Sequence, residues 1–127
     1  MVDLAAGTAT GQGTDTLTSI ENVTGSANAD TITGSAADNV IDGGAGDDIL
    51  NGGLGNDTLD GGVGADTADF SGGAAVIVDL AAGTASGQGT DTLSSIENVT
   101  GSANADTITG SASDLSLIHI SEPTRPY

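Results

Sequence analysis

The feature that most constrains this chain is a nine-residue unit repeated without a gap. Three copies run from Gly43 to Asp69 and read GGAGDDILN, GGLGNDTLD and GGVGADTAD. Each copy has glycine at positions 1, 2 and 4 and aspartate at position 6, and the first two copies have leucine at position 8. Glycine tolerates φ > 0, so positions 1–6 are suited to a tight turn, which leaves positions 7–9 for a short strand. A three-residue strand cannot bury a core alone, so the units must stack.

The same phase extends upstream in two units with fewer glycines. Gly25–Thr33 and Gly34–Asp42 carry serine at position 2, and asparagine or alanine replaces the glycine at position 4. Thr16–Thr24 fits the phase more loosely, with glutamate at position 6 and valine at position 8. The aliphatic side chains at position 8 of the five units are Ile32, Ile41, Leu50, Leu59 and Ala68.

A longer repeat lies over the short one. Val2–Asp38 returns at Val78–Asp114, 76 residues later, and the two copies differ only at Thr10/Ser86, Thr18/Ser94 and Ala37/Ser113. Such near-identity indicates a recent duplication, so we expect this chain to be a fragment of a longer array. The repeats predict a first linking cassette at 1–24, a five-unit array at 25–69, a second linking cassette at 70–100 and the start of a second array at 101–114.

The last 13 residues, 115–127 (LSLIHISEPTRPY), break the repeat. They contain the only histidine and arginine of the chain and both prolines. A transposase-end adapter of DNA sequencing libraries would encode Leu115–Arg125 residue by residue. We therefore interpret this segment as adapter read-through and not as native sequence. A divergent C-terminus that caps the array is the alternative.

The composition opposes folding of the bare chain. All but one of the 18 acidic side chains lie in residues 1–114, which contain no lysine, arginine or histidine, and the chain has 21 glycines. Repulsion between carboxylates and the entropy of glycine both favour the open chain. The acidic balance argues against binding to nucleic acid or anionic membranes. No apolar run approaches the roughly 20 residues of a membrane span, and the absence of cysteine excludes disulfides and thiolate metal sites.

Stacking predicts an all-β fold of the parallel β-roll (β-solenoid) type, with two nonapeptides per coil and short linking β segments. Successive units alternate between two sheets, so same-side units lie about 4.8 Å apart. One sheet would then carry Ile32, Leu50 and Ala68 on its inner face, and the other would carry Ile41 and Leu59. In the linking cassette, Ala75–Leu80 predicts a strand, and Ala81–Asp91 predicts a turn or hairpin. Thr92–Thr100 suits either a helical turn or a coil of the roll, and we favour the roll.

The turns supply the oxygen ligands that calcium requires. Calcium takes about 6–8 oxygens, whereas magnesium demands octahedral geometry and keeps its waters. Same-side turns bring together position-6 side chains 18 residues apart, which predicts the pairs Asp30 with Asp48, Asp48 with Asp66, and Asn39 with Asp57. Several calcium ions would bind at the position-6 residues Asp30, Asn39, Asp48, Asp57, Asp66 and Asp106 and at the glycines Gly43, Gly44, Gly46, Gly52, Gly53, Gly55, Gly61, Gly62 and Gly64.

Other acidic residues are interpreted as solvated. Asp42, Asp60 and Asp69, at position 9, are predicted to be outward-facing charges, and Asp47 is predicted to face solvent. Glu21 and Glu97 fit a solvated side chain better than a ligand, although a role as ligand in a transition coil stays open.

The nonapeptide resembles the RTX signature G-G-x-G-x-D-x-U-x. The run VDLAAGTASGQGTDTLSSIENVTGSA is also similar to the segments that link hemolysin-type calcium-binding repeats of secreted bacterial proteins. The resemblance implies a calcium-binding, secreted module that leaves the cell by type I secretion and folds outside in calcium. Its partners would be calcium ions and the neighbouring repeats of the parent chain, without insertion into a membrane.

The sequence indicates no enzyme in this chain. It has no lysine or cysteine, and His119 lies in the aberrant tail, so the usual general bases and nucleophiles are missing. Two alternatives to a structural module stay open. One is a stalk or binding surface of an adhesin, glycan-binding or ice-binding protein that uses outward Thr31, Thr33 and Thr58. The other is the calcium-binding part of a toxin or secreted enzyme whose active domain lies outside this chain.

Overall fold

The computed structural model describes residues 1–111 and the backbone of the strand Ser116–His119. This part of the chain is all-β, as predicted, and it contains no helix, so none that could cross a bilayer. In chain order the strands are β1 (Val2–Asp3), β2 (Thr8–Thr10), β3 (Thr14–Thr16), β4 (Asn22–Thr24), β5 (Thr31–Ser35), β6 (Val40–Asp42), β7 (Ile49–Gly53), β8 (Thr58–Asp60), β9 (Thr67–Asp69), β10 (Ile77–Asp79), β11 (Thr84–Ser86), β12 (Thr90–Ser94), β13 (Asn98–Thr100), β14 (Thr107–Thr109) and β15 (Ser116–His119).

Two sheets share these strands. The eight-stranded sheet has the order β15-β13-β9-β7-β5-β1-β2-β3, and the seven-stranded sheet has the order β14-β10-β11-β12-β8-β6-β4. From β4 to β9, consecutive strands belong to opposite sheets, and neighbours within a sheet are parallel. Each nonapeptide strand therefore lies beside the strand of the unit two places along. This arrangement is consistent with the β-roll that the nine-residue phase predicts.

The core follows the predicted position-8 residues. Leu50 pairs with Ile32 on one side and with Ala68 on the other, and Ile41 pairs with Leu59 in the opposite sheet. All five side chains are buried in one apolar cluster. Burying a leucine or isoleucine side chain stabilises a fold by about 1.5–3 kcal/mol. A core with so few large residues leaves much of the stability to the turns.

The second linking cassette continues both sheets. The predicted strand is present as β10, and β10, β11 and β12 form an antiparallel meander, which agrees with the predicted hairpin. β12 then pairs in parallel with β8, so that Leu93 lies beside Leu59. β13 pairs in parallel with β9, so that Val99 lies beside Ala68. Thr92–Thr100 thus forms strands of the two sheets and not a helical turn.

The two cassette copies fold alike but differ in their surroundings. The meander of the first copy (β1–β3) lies in the eight-stranded sheet, whereas the meander of the second copy (β10–β12) lies in the seven-stranded sheet. β12 has β8 as a further neighbour in its sheet, whereas the equivalent strand β3 lies at the edge of its sheet. As a result Asp91 is buried, with 2% of its surface exposed, whereas its counterpart Asp15 is exposed.

One tail segment, Ser116–His119, forms β15, which pairs in parallel with β13. The other residues of the tail, Leu115 and 120–127, lie outside the described residues. The interpretation of 115–127 as adapter read-through therefore stays a prediction.

Candidate metal centre

The position-6 residues form a ladder of hydrogen bonds between turns 18 residues apart. On one side of the molecule the amide of Asp30 donates to Oδ1 of Asp48 at 2.8 Å, and the amide of Asp48 donates to Oδ1 of Asp66 at 2.8 Å. On the other side the amide of Asn39 donates to Oδ1 of Asp57 at 2.8 Å. The three pairs that the spacing predicts are therefore neighbours, through contacts from backbone to carboxylate.

The ladder continues into the second linking cassette. The amide of Asp57 donates to Oδ1 of Asp91 at 2.9 Å, and the amide of Asp66 donates to Oε2 of Glu97 at 2.9 Å. Asp91 was not among the predicted site residues, and Glu97 was predicted to be solvated, with a role as ligand left open. A signal was present, because Asp91 and Glu97 each lie two residues before a buried aliphatic, as position 6 precedes position 8 in the nonapeptide.

The last predicted site residue, Asp106, joins the same pattern at the start of the second array. Its Oδ1 accepts the amide of Val76 at 2.9 Å, so its neighbour comes from the preceding cassette. Asp106 lies at the repeat position that the phase predicts, but the residue that donates to it, Val76, has no carboxylate of its own. On its upstream side, Asp106 is therefore bonded to the amide of a residue that has no metal-binding side chain.

Glycine is required at two kinds of position in the three units from Gly43 to Asp69. At position 1, a Cβ on Gly43, Gly52 or Gly61 would overlap Oδ2 of the aspartate in the same turn. At positions 2 and 4 the backbone has positive φ, a region that side chains disfavour. The positive-φ glycines of these units are Gly44, Gly46, Gly53, Gly55, Gly62 and Gly64.

Each of these three turns holds a buried oxygen without a donor. Oδ2 of Asp48, of Asp57 and of Asp66 is buried and has no hydrogen-bond partner. Burial raises the pKa of all three carboxyl groups, and nearby carboxylates raise it further; an amide hydrogen bond to each partly opposes this. A buried carboxylate that lacks a partner is costly, so these oxygens call for a bound cation or a proton.

A difference at position 2 separates two kinds of turn. In the glycine turns (Gly43–Asp48, Gly52–Asp57 and Gly61–Asp66) the position-2 amide points to the position-9 residue of the preceding unit. The amide of Gly44 donates to Oδ1 of Asp42 at 3.0 Å, and the amide of Gly62 donates to Oδ1 of Asp60 at 3.1 Å. Asp42 and Asp60, predicted to be plain outward charges, are half-buried acceptors that shape the turn. Asp69 does the same, accepting the amide of Ser71 at 2.9 Å.

The serine turns (Gly25–Asp30, Gly34–Asn39 and Gly101–Asp106) direct the same amide inward. The amide of Ser26 donates to Oδ2 of Asp30 at 2.6 Å, and the Ser26 hydroxyl adds a bond to the same oxygen at 2.8 Å. The position-6 side chains of both kinds of turn are buried or half-buried, but a buried carboxylate oxygen without a donor is found in the glycine turns.

The donor set of the glycine turns fits a hard cation. The described residues contain no group of three or more histidine, cysteine, aspartate or glutamate side chains that could enclose a metal. The ligands of each ion would then be one or two carboxylates together with backbone carbonyls. Asp48, Asp57 and Asp66 would supply the charge, and backbone carbonyls of the glycines would supply the remaining oxygens. Such an all-oxygen set suits calcium.

This geometry defines an all-β repeat protein with a turn every nine residues, most of which carry an aspartate at position 6. A family model of the RTX calcium-binding nonapeptide repeat matches residues 24–59, 36–68, 47–77 and 94–114, and the chain belongs to that family. The repeats are calcium-binding structural modules, typical of secreted bacterial proteins. No curated protein matched the chain.

Proposed function

We propose that this chain binds several calcium ions in its turns and that binding folds it into a parallel β-roll. The observation that carries the proposal is the set of three buried oxygens, Oδ2 of Asp48, Asp57 and Asp66, which no donor meets. A cation between turns satisfies these oxygens and cancels the repulsion that the ladder builds up. Folding and metal binding then become one equilibrium, as in other small metal-dependent domains.

The ligands in this proposal come from the predicted residues. Asp48, Asp57 and Asp66 provide carboxylate oxygens, and the glycines at positions 1, 2 and 4 of the same units provide carbonyls and the space for an ion. Asp48 lies between Asp30 and Asp66 on one side of the molecule, and Asp57 follows Asn39 on the other. The charge of Asp48 thus contributes to two neighbouring rungs.

The cellular setting follows from the same coupling. Outside the cell, calcium near about 10⁻⁴–10⁻³ M matches the affinity of extracellular calcium modules. The calcium-poor cytosol would leave the chain open and competent for export. We propose that the parent protein is a secreted bacterial protein that uses type I secretion, and that neighbouring repeats of the parent stack on this module.

A binding surface on the outward face has less support than a structural role. The predicted threonine row is interrupted, because Ile49 lies between Thr31 and Thr67 and Val40 lies beside Thr58. Ile49 and Val40 are 43% and 49% exposed. A regular ice-binding or glycan-binding ladder would need the same side chain on successive strands.

Circular dichroism of the full chain tests the proposal. In chelator we expect a coil spectrum, and with about millimolar calcium we expect a β spectrum. Magnesium at the same concentration is the matched control and should leave the chain unfolded, because it prefers a smaller octahedral site. Identical spectra in chelator and in calcium would refute the proposal.

A further inference from the structure

We propose that the residue at position 2 decides whether a turn needs calcium, so that the serine turns use their own serine where the glycine turns use an ion. The inference rests on the proposed calcium function and sharpens it. It assigns an ion to each of Asp48, Asp57 and Asp66 and none to Asp30, Asn39 or Asp106.

The serine turns satisfy the position-6 side chain from within. At Ser26, both the amide and the hydroxyl donate to Oδ2 of Asp30, and the amide of Asn28 donates back to Oγ of Ser26 at 3.1 Å. The serine thereby joins the carboxylate to the backbone of the turn, which is the connection that a cation would otherwise make.

The other two serine turns repeat this arrangement. The amide of Ser102 donates to Oδ2 of Asp106 at 2.7 Å, and its hydroxyl donates to Oδ1 at 2.7 Å. The amide of Ser35 donates to Oδ1 of Asn39 at 2.7 Å, and Nδ2 of Asn39 donates to the carbonyl of Glu21 at 3.1 Å. The Asn39 side chain is therefore neutral and has hydrogen-bond partners at both Oδ1 and Nδ2 without a metal.

The glycine turns lack this internal donor for two linked reasons. Gly44 and its counterparts have no hydroxyl, and their amides are already bonded to the position-9 side chain of the preceding unit. That preceding residue is aspartate or asparagine before every glycine turn, and it is threonine before every serine turn. Asp42, Asn51 and Asp60 precede the glycine turns, and Thr24, Thr33 and Thr100 precede the serine turns. The residues at positions 9 and 2 act together. The position-9 side chain accepts the position-2 amide, which then does not donate to the position-6 carboxylate.

An exchange between two turns on the same side tests the inference in the full chain. Replacing DGGAG at 42–46 by TGSAN requires Asp42→Thr, Gly44→Ser and Gly46→Asn. The reciprocal change of TGSAN at 24–28 to DGGAG requires Thr24→Asp, Ser26→Gly and Asn28→Gly. Equilibrium dialysis with calcium then counts the ions bound per chain. We expect one ion fewer in the first variant and one ion more in the second.

Asp42→Asn provides the matched control. It removes the charge but keeps the Oδ1 acceptor, as Asn51 does naturally before Gly52 and Gly53. The number of bound ions should therefore stay at the wild-type value. If Asp42→Asn alone lowers the count, the position-9 charge and not the serine switch is responsible, and the inference is overturned.

The outcomes separate this inference from the calcium function itself. A wild-type chain that binds no calcium would refute the proposed function. A wild-type chain that binds calcium, together with exchanges that leave the count unchanged, would overturn only the role of position 2. If the first variant fails to fold in calcium, the second variant decides: an additional ion supports the inference, and an unchanged count overturns it.

Discussion

Oδ1 of Asp48 accepts the backbone amide of Asp30 at 2.8 Å, while Oδ2 of the same carboxylate meets no donor. One oxygen thus holds two turns together, and the other is left for a ligand. Asp57 and Asp66 show the same difference between their two carboxylate oxygens. It explains how a ladder made largely of aspartates can be both a scaffold and a set of metal sites.

Replacing Asp48 should impair calcium-dependent folding more than replacing Asn39. Asp48→Ala removes the acceptor for Asp30 and a charge next to Asp66, whereas Asn39→Ala removes a neutral amide whose hydrogen bonds stay within the protein. A charge-assisted hydrogen bond contributes about 1.5–3 kcal/mol, so the calcium midpoint should rise roughly tenfold or more for Asp48→Ala. The midpoint is read by circular dichroism during a calcium titration. Equal midpoints for the two variants would contradict the ladder as described.

The duplicated cassettes provide a matched pair of aspartates. Asp91→Ala removes a buried acceptor of the Asp57 amide and should destabilise the calcium-bound fold by about 1–3 kcal/mol. Asp15→Ala changes the same residue in the same local sequence, but Asp15 is exposed, so the change should stay within about 0.5 kcal/mol. Urea unfolding in saturating calcium measures both. A loss at Asp15 as large as that at Asp91 would show that burial in the stack is not what matters.

Acid and calcium should act as substitutes for one another. Burial raises the pKa of Asp91 to about 6, against an ordinary value of 3.8, and raises the pKa of Asp48, Asp57 and Asp66 as well. The folded state without metal then binds more protons than the unfolded state. Its stability should be greatest below the unfolded pKa near 3.8 and should decrease as the pH rises through about 6.

Calcium binds the ionised carboxylates, so the stability of the calcium-bound fold should increase with pH, opposite to that of the metal-free fold. We expect the calcium midpoint to be higher at pH 5 than at pH 7.5, because protons compete for the same oxygens. In chelator, the β signal at pH 4.5 should exceed that at pH 7.5. A chelated chain whose spectrum is unchanged over this interval would argue against buried, proton-binding carboxylates.

Glycine at position 1 should be required for space and not for flexibility. A Cβ on Gly43 would overlap Oδ2 of Asp48, so Gly43→Ala should block that turn and destabilise the calcium-bound state by about 1–3 kcal/mol. Gly72 has open space around its Cα and is the control; Gly72→Ala should be neutral or slightly stabilising. Thermal unfolding in calcium distinguishes them. Similar losses at both sites would favour a general effect of glycine on chain entropy.

The sequence predicted the parts of the structure that follow the nine-residue phase. The inner residues Ile32, Leu50 and Ala68 and the pairing of Asp48 with its neighbours follow from the phase alone, because parallel stacking places residue n beside residue n + 18. Asp91 was missed because the nine-residue phase is interrupted in the linking cassette. Its place two residues before Leu93 matches position 6, but the meander β10–β12 changes the spacing, so the neighbour of Asp91 depends on the pairing of β12 with β8.

The different hydrogen bonding of the two kinds of turn was not predicted from the sequence. Serine at position 2 was interpreted as a degenerate glycine, and aspartate at position 9 as a solvated charge. The sequence shows that the two positions vary together, and the direction of one amide, inward at Ser26 and outward at Gly44, gives the physical reason. Hydrogen-bond direction depends on backbone dihedral angles, which a list of favoured residues does not specify.

The switch of the meander from the eight-stranded to the seven-stranded sheet has a consequence for the architecture of longer chains. Six single strands, β4 to β9, separate the two meanders and alternate between the two sheets. Because that number is even, the second meander lies in the sheet opposite to the first. In a chain that continues this 76-residue repeat, successive meanders would lie alternately in one sheet and in the other. The structural period of such a chain would be two 76-residue repeats. If the nonapeptide array were one unit shorter or longer, all meanders would lie in the same sheet.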